Sequence, residues 1–178
     1  WNGTVPTYDA IEVLGCAGKT TATTFSNSVA DNTMASEALP TGLLNNAGRN
    51  LRVRAWGYYS TDAVTPGTLR VRLKYGSTVL LDATTATLPG AETNRGWIFE
   101  ADVTTVTAGA PGTVFAQGKF TYFQGSLDNP KEMGLVNTAA VSVTVSGVVT
   151  PTLTIERSGA DLDNANTCQV FLCDVGGL

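Results

Sequence analysis

Glu100 and Asp102 stand two residues apart, which on a β-strand puts both carboxylates on one face, about 6.6 Å from each other. Paired carboxylates near that separation can hydrolyse glycosidic bonds, one as acid and the other as base or nucleophile. Their neighbours point elsewhere. Trp97, Phe99, Ala101 and Val103 alternate with them and are expected to fill the core, so the carboxylates fall on an outer face. Such a face lacks the desolvated pocket that raises an acid's pKa. A hydrolase would need the pair in a closed cleft; charge partners for nearby basic residues are the expectation.

Other constellations are weaker. Gly15-Cys-Ala-Gly-Lys-Thr20 matches the end of a phosphate-binding loop, but Val13 occupies the position of the first required glycine and the residues after Thr20 start a helix poorly. A turn after a short strand is expected there. Asp161-Leu-Asp-Asn-Ala-Asn166 gathers oxygen ligands that suit Ca²⁺, yet the EF-hand pattern fails at Ala165, at its glycine and at its terminal glutamate. An Asx-rich turn that needs no metal is expected.

The sequence has no histidine, which removes His-based triads and His metal sites. A Gly-x-Ser-x-Gly elbow is also missing. No catalytic residue, cofactor or metal ligand is assigned. The three cysteines, Cys16, Cys168 and Cys173, lack zinc-site spacing. On one regular strand Cys168 and Cys173 lie about 17 Å apart on opposite faces, too far to bridge. Three free thiols are expected, with Cys16 paired to one of the others as the alternative.

Two sets of side chains suit binding. Arg52, Arg54, Arg70, Arg72 and Lys74 read as a basic stripe on neighbouring strands, with Trp56 on the same face. Like charges side by side repel unless something intercalates. Intramolecular carboxylates suffice, Glu100 and Asp102 among them; a subunit or capsid interface over Arg52, Arg54, Trp56, Arg70, Arg72 and Lys74 is the sharper alternative. Trp56, Tyr58 and Tyr59 form a second candidate, a platform for stacking sugar rings, whereas Trp97 and Tyr122 are expected in the core or at its ends.

The elements that carry these residues are β-strands. In 178 residues only 15% are charged while 43% are hydrophobic, and Thr, Val and Gly abound, a palette for strands and turns. The net charge of −4 argues against general nucleic-acid binding, which takes a positive excess. No apolar run is long enough to span a membrane as a helix, and WNGTVPTYDA resembles no export signal. The chain opens at Trp1 rather than Met, as expected of a processed or trimmed product.

Leu51, Val53 and Ala55 alternate with Arg52, Arg54 and Trp56, and Leu69 to Tyr75 repeats the pattern. Further strands are predicted at 78–83, 96–106, 113–123, 138–146, 151–156 and 166–174, with loops at Thr61–Gly67, Gly125–Leu135 and Ser158–Asn166. Turn residues at 61–67 and at Gly76-Ser77 suggest hairpins. One domain is expected overall: residues 1–48 as an extended N-terminal arm with weak strands, and 49–178 as an all-β, jelly-roll-like sandwich of about eight to ten antiparallel strands.

The stretches Gly48–Ser60, Thr65–Lys74, Asn94–Asp102 and Gly112–Phe120 resemble a recurrent type of tailed-bacteriophage virion protein. The resemblance covers most of residues 40–175 and is one of strands and turns; it brings no catalytic residues. It implies a jelly-roll module on the virion surface, often a homotrimer, serving as a head decoration (cement) protein, head fibre or tail component, with the major capsid protein or other virion proteins as partners. Decoration of the head is the first expectation. The alternative is a receptor- or glycan-binding domain of a tail fibre or baseplate protein.

Overall fold

The computed structural model describes residues 16–125 and 129–176. Among them there are twelve strands and no helix: β1 (Cys16–Lys19), β2 (Thr23–Ser26), β3 (Asn32–Ser36), β4 (Asn50–Ser60), β5 (Leu69–Tyr75), β6 (Thr78–Thr84), β7 (Arg95–Thr107), β8 (Gly112–Phe123), β9 (Pro130–Val136), β10 (Val141–Val143), β11 (Pro151–Arg157) and β12 (Ala165–Gly176). All pairings are antiparallel. An eight-stranded sheet runs β1-β12-β4-β7-β8-β10, with β2 also on β12 and β9 on β8; a four-stranded sheet runs β3-β11-β5-β6. The two form a jelly-roll-like β-sandwich.

Period-two alternation builds the core between the sheets. Leu51, Val53 and Ala55 of β4, Trp97, Phe99 and Val103 of β7, and Val114, Ala116 and Phe120 of β8 point inward from the large sheet. Leu69, Val71 and Leu73 of β5 meet them from the small sheet with Leu153 and Ile155 of β11. Each large apolar side chain so enclosed stabilises the fold by about 1.5–3 kcal/mol.

Residues 16–48 are not an arm appended to the sandwich. β1 and β2 pair with β12, β3 pairs with β11, and Met34, Ala35, Leu39 and Leu44 are buried in the common core. Residues 1–15 lie outside the described part. The expected loop at 125–135 is also replaced in part by β9, and the strand expected over 138–146 shrinks to β10. Thr61–Gly67 is not a hairpin turn, because β4 and β5 belong to different sheets. The true two-residue hairpin is Gly76-Ser77 between β5 and β6, where Gly76 has φ 57°, a conformation glycine adopts freely.

A bulge corrects the cysteine reading. Between Cys168 and Val170 the register on β4 shifts, so that the successive partners are Gly57 and Trp56. The extra residue, Gln169, resets the alternation, and Cys168 and Cys173 both face inward and are buried. They do not bridge each other, and the Cys16 side chain lies outside the described part. Burial pushes the Cys168 thiol up to about 11. In a Cys16→Ser/Cys173→Ala protein, Cys168 is therefore expected to react with a disulfide reagent at neutral pH about 100-fold more slowly than in denaturant; a rate near that of a free thiol would contradict the burial.

One end of the sandwich is organised by a residue the sequence did not single out. Arg157, at the end of β11, is 1% exposed. Its Nη2 donates to the carbonyls of Ser60 (2.7 Å) and Ala165 (2.8 Å) and to Asn166 Oδ1 (3.2 Å). Nη1 donates to the Pro66 carbonyl and Asn164 Oδ1, both at 3.3 Å, and the guanidinium lies 6.0 Å from the centre of the Tyr59 ring. Burial lowers its pKa to about 10, so it stays charged at neutral pH.

Candidate functional site

The same alternation that buries Leu51, Val53 and Ala55 turns Arg52, Arg54, Trp56 and Tyr58 to the outer face of the eight-stranded sheet. Register then decides their neighbours. Arg52 lies opposite Asp102, Arg54 opposite Glu100, Trp56 opposite Ile98 and Tyr58 opposite Gly96 on β7. On β8, Gln117 follows Asp102, Lys119 follows Glu100 and Thr121 follows Ile98. On β9, Val136, Gly134 and Glu132 complete those rows.

The first two rows line an open groove of about 650 Å³. Its charges are matched within the chain: Arg52 Nε is 3.4 Å from Asp102, Arg54 Nη2 is 2.7 Å from Asp174, and Lys119 Nζ is 3.4 Å from Glu100 and 3.6 Å from Glu132. Hydrogen bonding to Glu100 and the charges of Glu132 and Glu100 raise the Lys119 pKa. Next to this charged floor, Trp56, Gly57, Gly96, Trp97, Ile98 and Phe123 enclose a shallow hollow of about 390 Å³. Trp56 and Ile98 are each 38% exposed there, and a side chain on Gly96 would come within 3.3 Å of the Phe123 ring. The result is an apolar shelf adjoining a polar groove.

Glu100 and Asp102 do share one outer face, as expected. They sit in the open groove with about 45% and 40% of their side chains exposed, each beside a cation. The closed cleft that carboxylate hydrolysis needs is not what surrounds this pair.

The basic stripe splits. Arg52, Arg54 and Trp56 are on β4 in the large sheet, whereas Arg70, Arg72 and Lys74 are on β5 in the small one. The two sets face away from each other because each sheet turns its polar side outward from the shared core. Neither set is a bare run of positive charge. Arg70 Nε donates to Asp82 at 2.8 Å, Arg72 pairs with Glu156 at 2.7 Å and with Asp31 at 3.0 Å, and Lys74 pairs with Asp31. Arg72 is only 8% exposed, too enclosed to contact a partner.

This network makes stability depend on acid. The Arg70 hydrogen bond holds the Asp82 carboxyl below its usual range. At Asp31 burial pushes upward, but Lys74, Thr154 and Arg72 outweigh it and the pKa is again lowered. A carboxylate whose folded pKa is depressed contributes stability that is complete above its unfolded value near ~4 and is lost as pH falls through the folded value. Thermal unfolding should thus be flat from about pH 6 to 5 and decline below about pH 4, less steeply in Asp82→Asn; identical acid slopes for the two proteins would refute the assignment.

Of the three aromatic candidates, Trp56 and the half-buried Tyr58 remain at the surface. Tyr59 does not. It is fully buried and donates its hydroxyl to the Phe123 carbonyl at 2.7 Å. Trp97 and Tyr122 are core residues, as expected, packed against Phe120, Trp97 tilted to its ring at 6.0 Å between centroids and Tyr122 stacked on it at 5.8 Å.

The other motifs resolve as loops and strands. Cys16–Lys19 is β1, and beyond Thr20 the chain enters the strand β2, so no helix N-terminus is present to cradle a phosphate. Gly15 lies outside the described part. Asp161 Oδ1 accepts from the Asp163 backbone N–H at 2.9 Å, the expected Asx turn. The fold adds Asp62, which the sequence places 99 residues away: carboxylate oxygens of Asp62, Asp161 and Asp163 lie within 4.8 Å of one another. The backbone N–H groups of Thr65 and Val64 hold Asp62 below its usual pKa, so it too caps a turn.

No family model and no curated protein matches this sequence. Solved structures with some likeness include the CBM2 module of the evolved Dit of Lactobacillus casei BL23 phage J-1, at 12% identity and a TM-score of 0.33 over 78% of this chain and 66% of that one. The alginate lyases from Klebsiella pneumoniae and from a Corynebacterium species are similar at 8% and 14% identity, with TM-scores of 0.28 and 0.29. They match over 74% and 81% of this chain and over 60% and 62% of their own. The chain thus spans less than two thirds of each of these structures. Likenesses this distant say nothing of what the chain binds or catalyses.

Proposed function

We propose that this protein is a non-catalytic binding module displayed on a virion surface, and that it binds a surface glycan of the host through the outer face of its eight-stranded sheet. The observation that carries this reading is the apolar shelf of Trp56, Ile98 and Phe123 set directly against a groove of paired charges. A pyranose ring presents both chemistries at once, with C–H faces that stack on an indole and hydroxyls that bond to charged and amide groups. The virion location rests on the sequence resemblance.

Trp56→Ala removes the largest exposed ring of the shelf and should weaken binding to cell-wall polysaccharide at least about tenfold, corresponding to ~1.4 kcal/mol. Titration calorimetry checks this, with circular dichroism showing that the sandwich is intact. Unchanged affinity would exclude the shelf as the binding surface.

A second reading is decoration of the phage head by a trimer. It is favoured by the adjoining seam of the two sheets, where Val79 of β6 and Val136, at the β9 end of the groove, 39% and 63% exposed, line one hollow of about 470 Å³. Exposed apolar groups at a seam suit association with a second subunit or a capsid protein. Co-sedimentation with decoration-free heads, sensitive to Val79→Asp and not to Trp56→Ala, would favour this reading over the first.

A further inference from the structure

We infer that the outer face of the eight-stranded sheet takes an uncharged, polyhydroxylated oligosaccharide and rejects acidic polysaccharides; the inference rests on the glycan-binding reading above. The groove and its margin hold three cations, Arg52, Arg54 and Lys119, against four carboxylates, Glu100, Asp102, Glu132 and Asp174. Each cation lies beside a carboxylate, and the signs alternate across the strands, with Arg54, Glu100 and Lys119 in one row and Arg52 facing Asp102 in the next.

An acidic sugar entering this lattice has to displace a carboxylate from its cation and then sit beside the displaced charge, which is repulsive at contact distance. A neutral sugar does neither. Its hydroxyls accept from Arg52, Lys119 or the Gln117 amide and donate to Glu100 or Asp102 while every ion pair stays formed. The groups are about half exposed, so they keep donors and lone pairs turned to solvent. They are also held in position by their partners, which lowers the cost of ordering them on binding.

The groove is long enough for more than one sugar. From β4 to β9 it crosses three strand spacings, about 14 Å. On its far side Gly134 faces Lys119, and a side chain there would meet nothing within 4 Å, so the floor is open. The apolar shelf lies one same-face step from Arg54, about 6.6 Å along β4, within reach of the same chain.

The test is a titration of the intact protein with neutral polymers (glucan, galactan, mannan and rhamnan) and with polygalacturonate and hyaluronate, at about 20 and about 500 mM NaCl, conditions that change screening strongly. A neutral polymer should bind with Kd changing less than about twofold between the two salts, and with at least about a tenfold loss in Trp56→Ala. The acidic polymers should not bind. Glu100→Gln/Glu132→Gln, which leaves the face positive, should bind the neutral polymer about tenfold more weakly and acquire salt-sensitive binding of polygalacturonate. Salt-sensitive binding of an acidic polymer by the unmodified protein, lost in Trp56→Ala, would overturn the neutral-ligand inference and leave the glycan-binding reading standing. Binding of no polymer would overturn both.

Discussion

Arg157→Met is expected to lower the stability of the protein by about 4 kcal/mol, a large share of what a domain of this size possesses. Methionine fills much of the same space but donates nothing. The carbonyls of Ser60, Pro66 and Ala165 and the side-chain oxygens of Asn164 and Asn166 all lose a charged donor in a region closed to water. Each acceptor left buried without a partner costs about 1–3 kcal/mol, partly recovered by relaxation. Arg157→Lys should recover less than half of the loss, because one ammonium has three donors at a single point and cannot span acceptors on both sides of a planar guanidinium. Guanidinium chloride unfolding of the three proteins measures this; a loss below about 1 kcal/mol in Arg157→Met would mean that water reaches those carbonyls.

Gly57→Ala should be nearly as damaging, at about 3 kcal/mol or more, although a single methyl group is added. A Cβ at this position would lie 1.9 Å from the Thr167 carbonyl oxygen and 2.8 Å from the Trp97 ring. The carbonyl belongs to the β12 backbone just before its bulge, and Trp97 is fully packed, so neither gives way cheaply. Gly57 does not have a positive φ, and the effect is one of space alone. Gly134→Ala is the matched control: it too lies in a strand of the large sheet, nothing stands within 4 Å of the added carbon, and its stability should change by less than about 1 kcal/mol. Equal losses at the two sites would rule out close packing as the cause.

The strands that carry the outer face were legible because each shows one chemistry inward and another outward. Leu51/Arg52/Val53/Arg54 and Trp97/Ile98/Phe99/Glu100 reveal their phase directly. The same logic contained the correction to the aromatic platform: Tyr59 shares the odd-numbered face with Leu51, Val53 and Ala55, and only Tyr58 is in phase with Trp56. Alternation does not say which sheet a strand joins, however, and this is why two basic segments on different sheets read as one stripe. Nor does it survive an inserted residue, as at Gln169, where one bulge puts Cys168 and Cys173, expected on opposite faces, both in the core.

Other elements carried too little contrast to be seen. β9, Pro-Lys-Glu-Met-Gly-Leu-Val, offers a proline, a glycine and one fully buried residue, Leu135, and so resembles a loop. β1 to β3 are built largely from small and polar residues, and what makes them strands is the partner waiting in β11 or β12. The Asp62, Asp161 and Asp163 grouping and the acceptors around Arg157 are assembled by pairings far apart in sequence, beyond the reach of any local pattern.

The position of β12 has a consequence for how the chain is made. This strand comes last among those described, yet it lies between β4 on one side and β1 and β2 on the other. A ribosome therefore releases β1, β2 and β4 long before the strand that joins them exists, and until then the edge of β4 is open to solvent and to neighbouring chains. Closure joins segments separated by more than a hundred residues, a route that is slow for β-sandwiches. Nascent chains stopped before Ala165 should accordingly be the species that chaperones hold and that aggregate when overproduced.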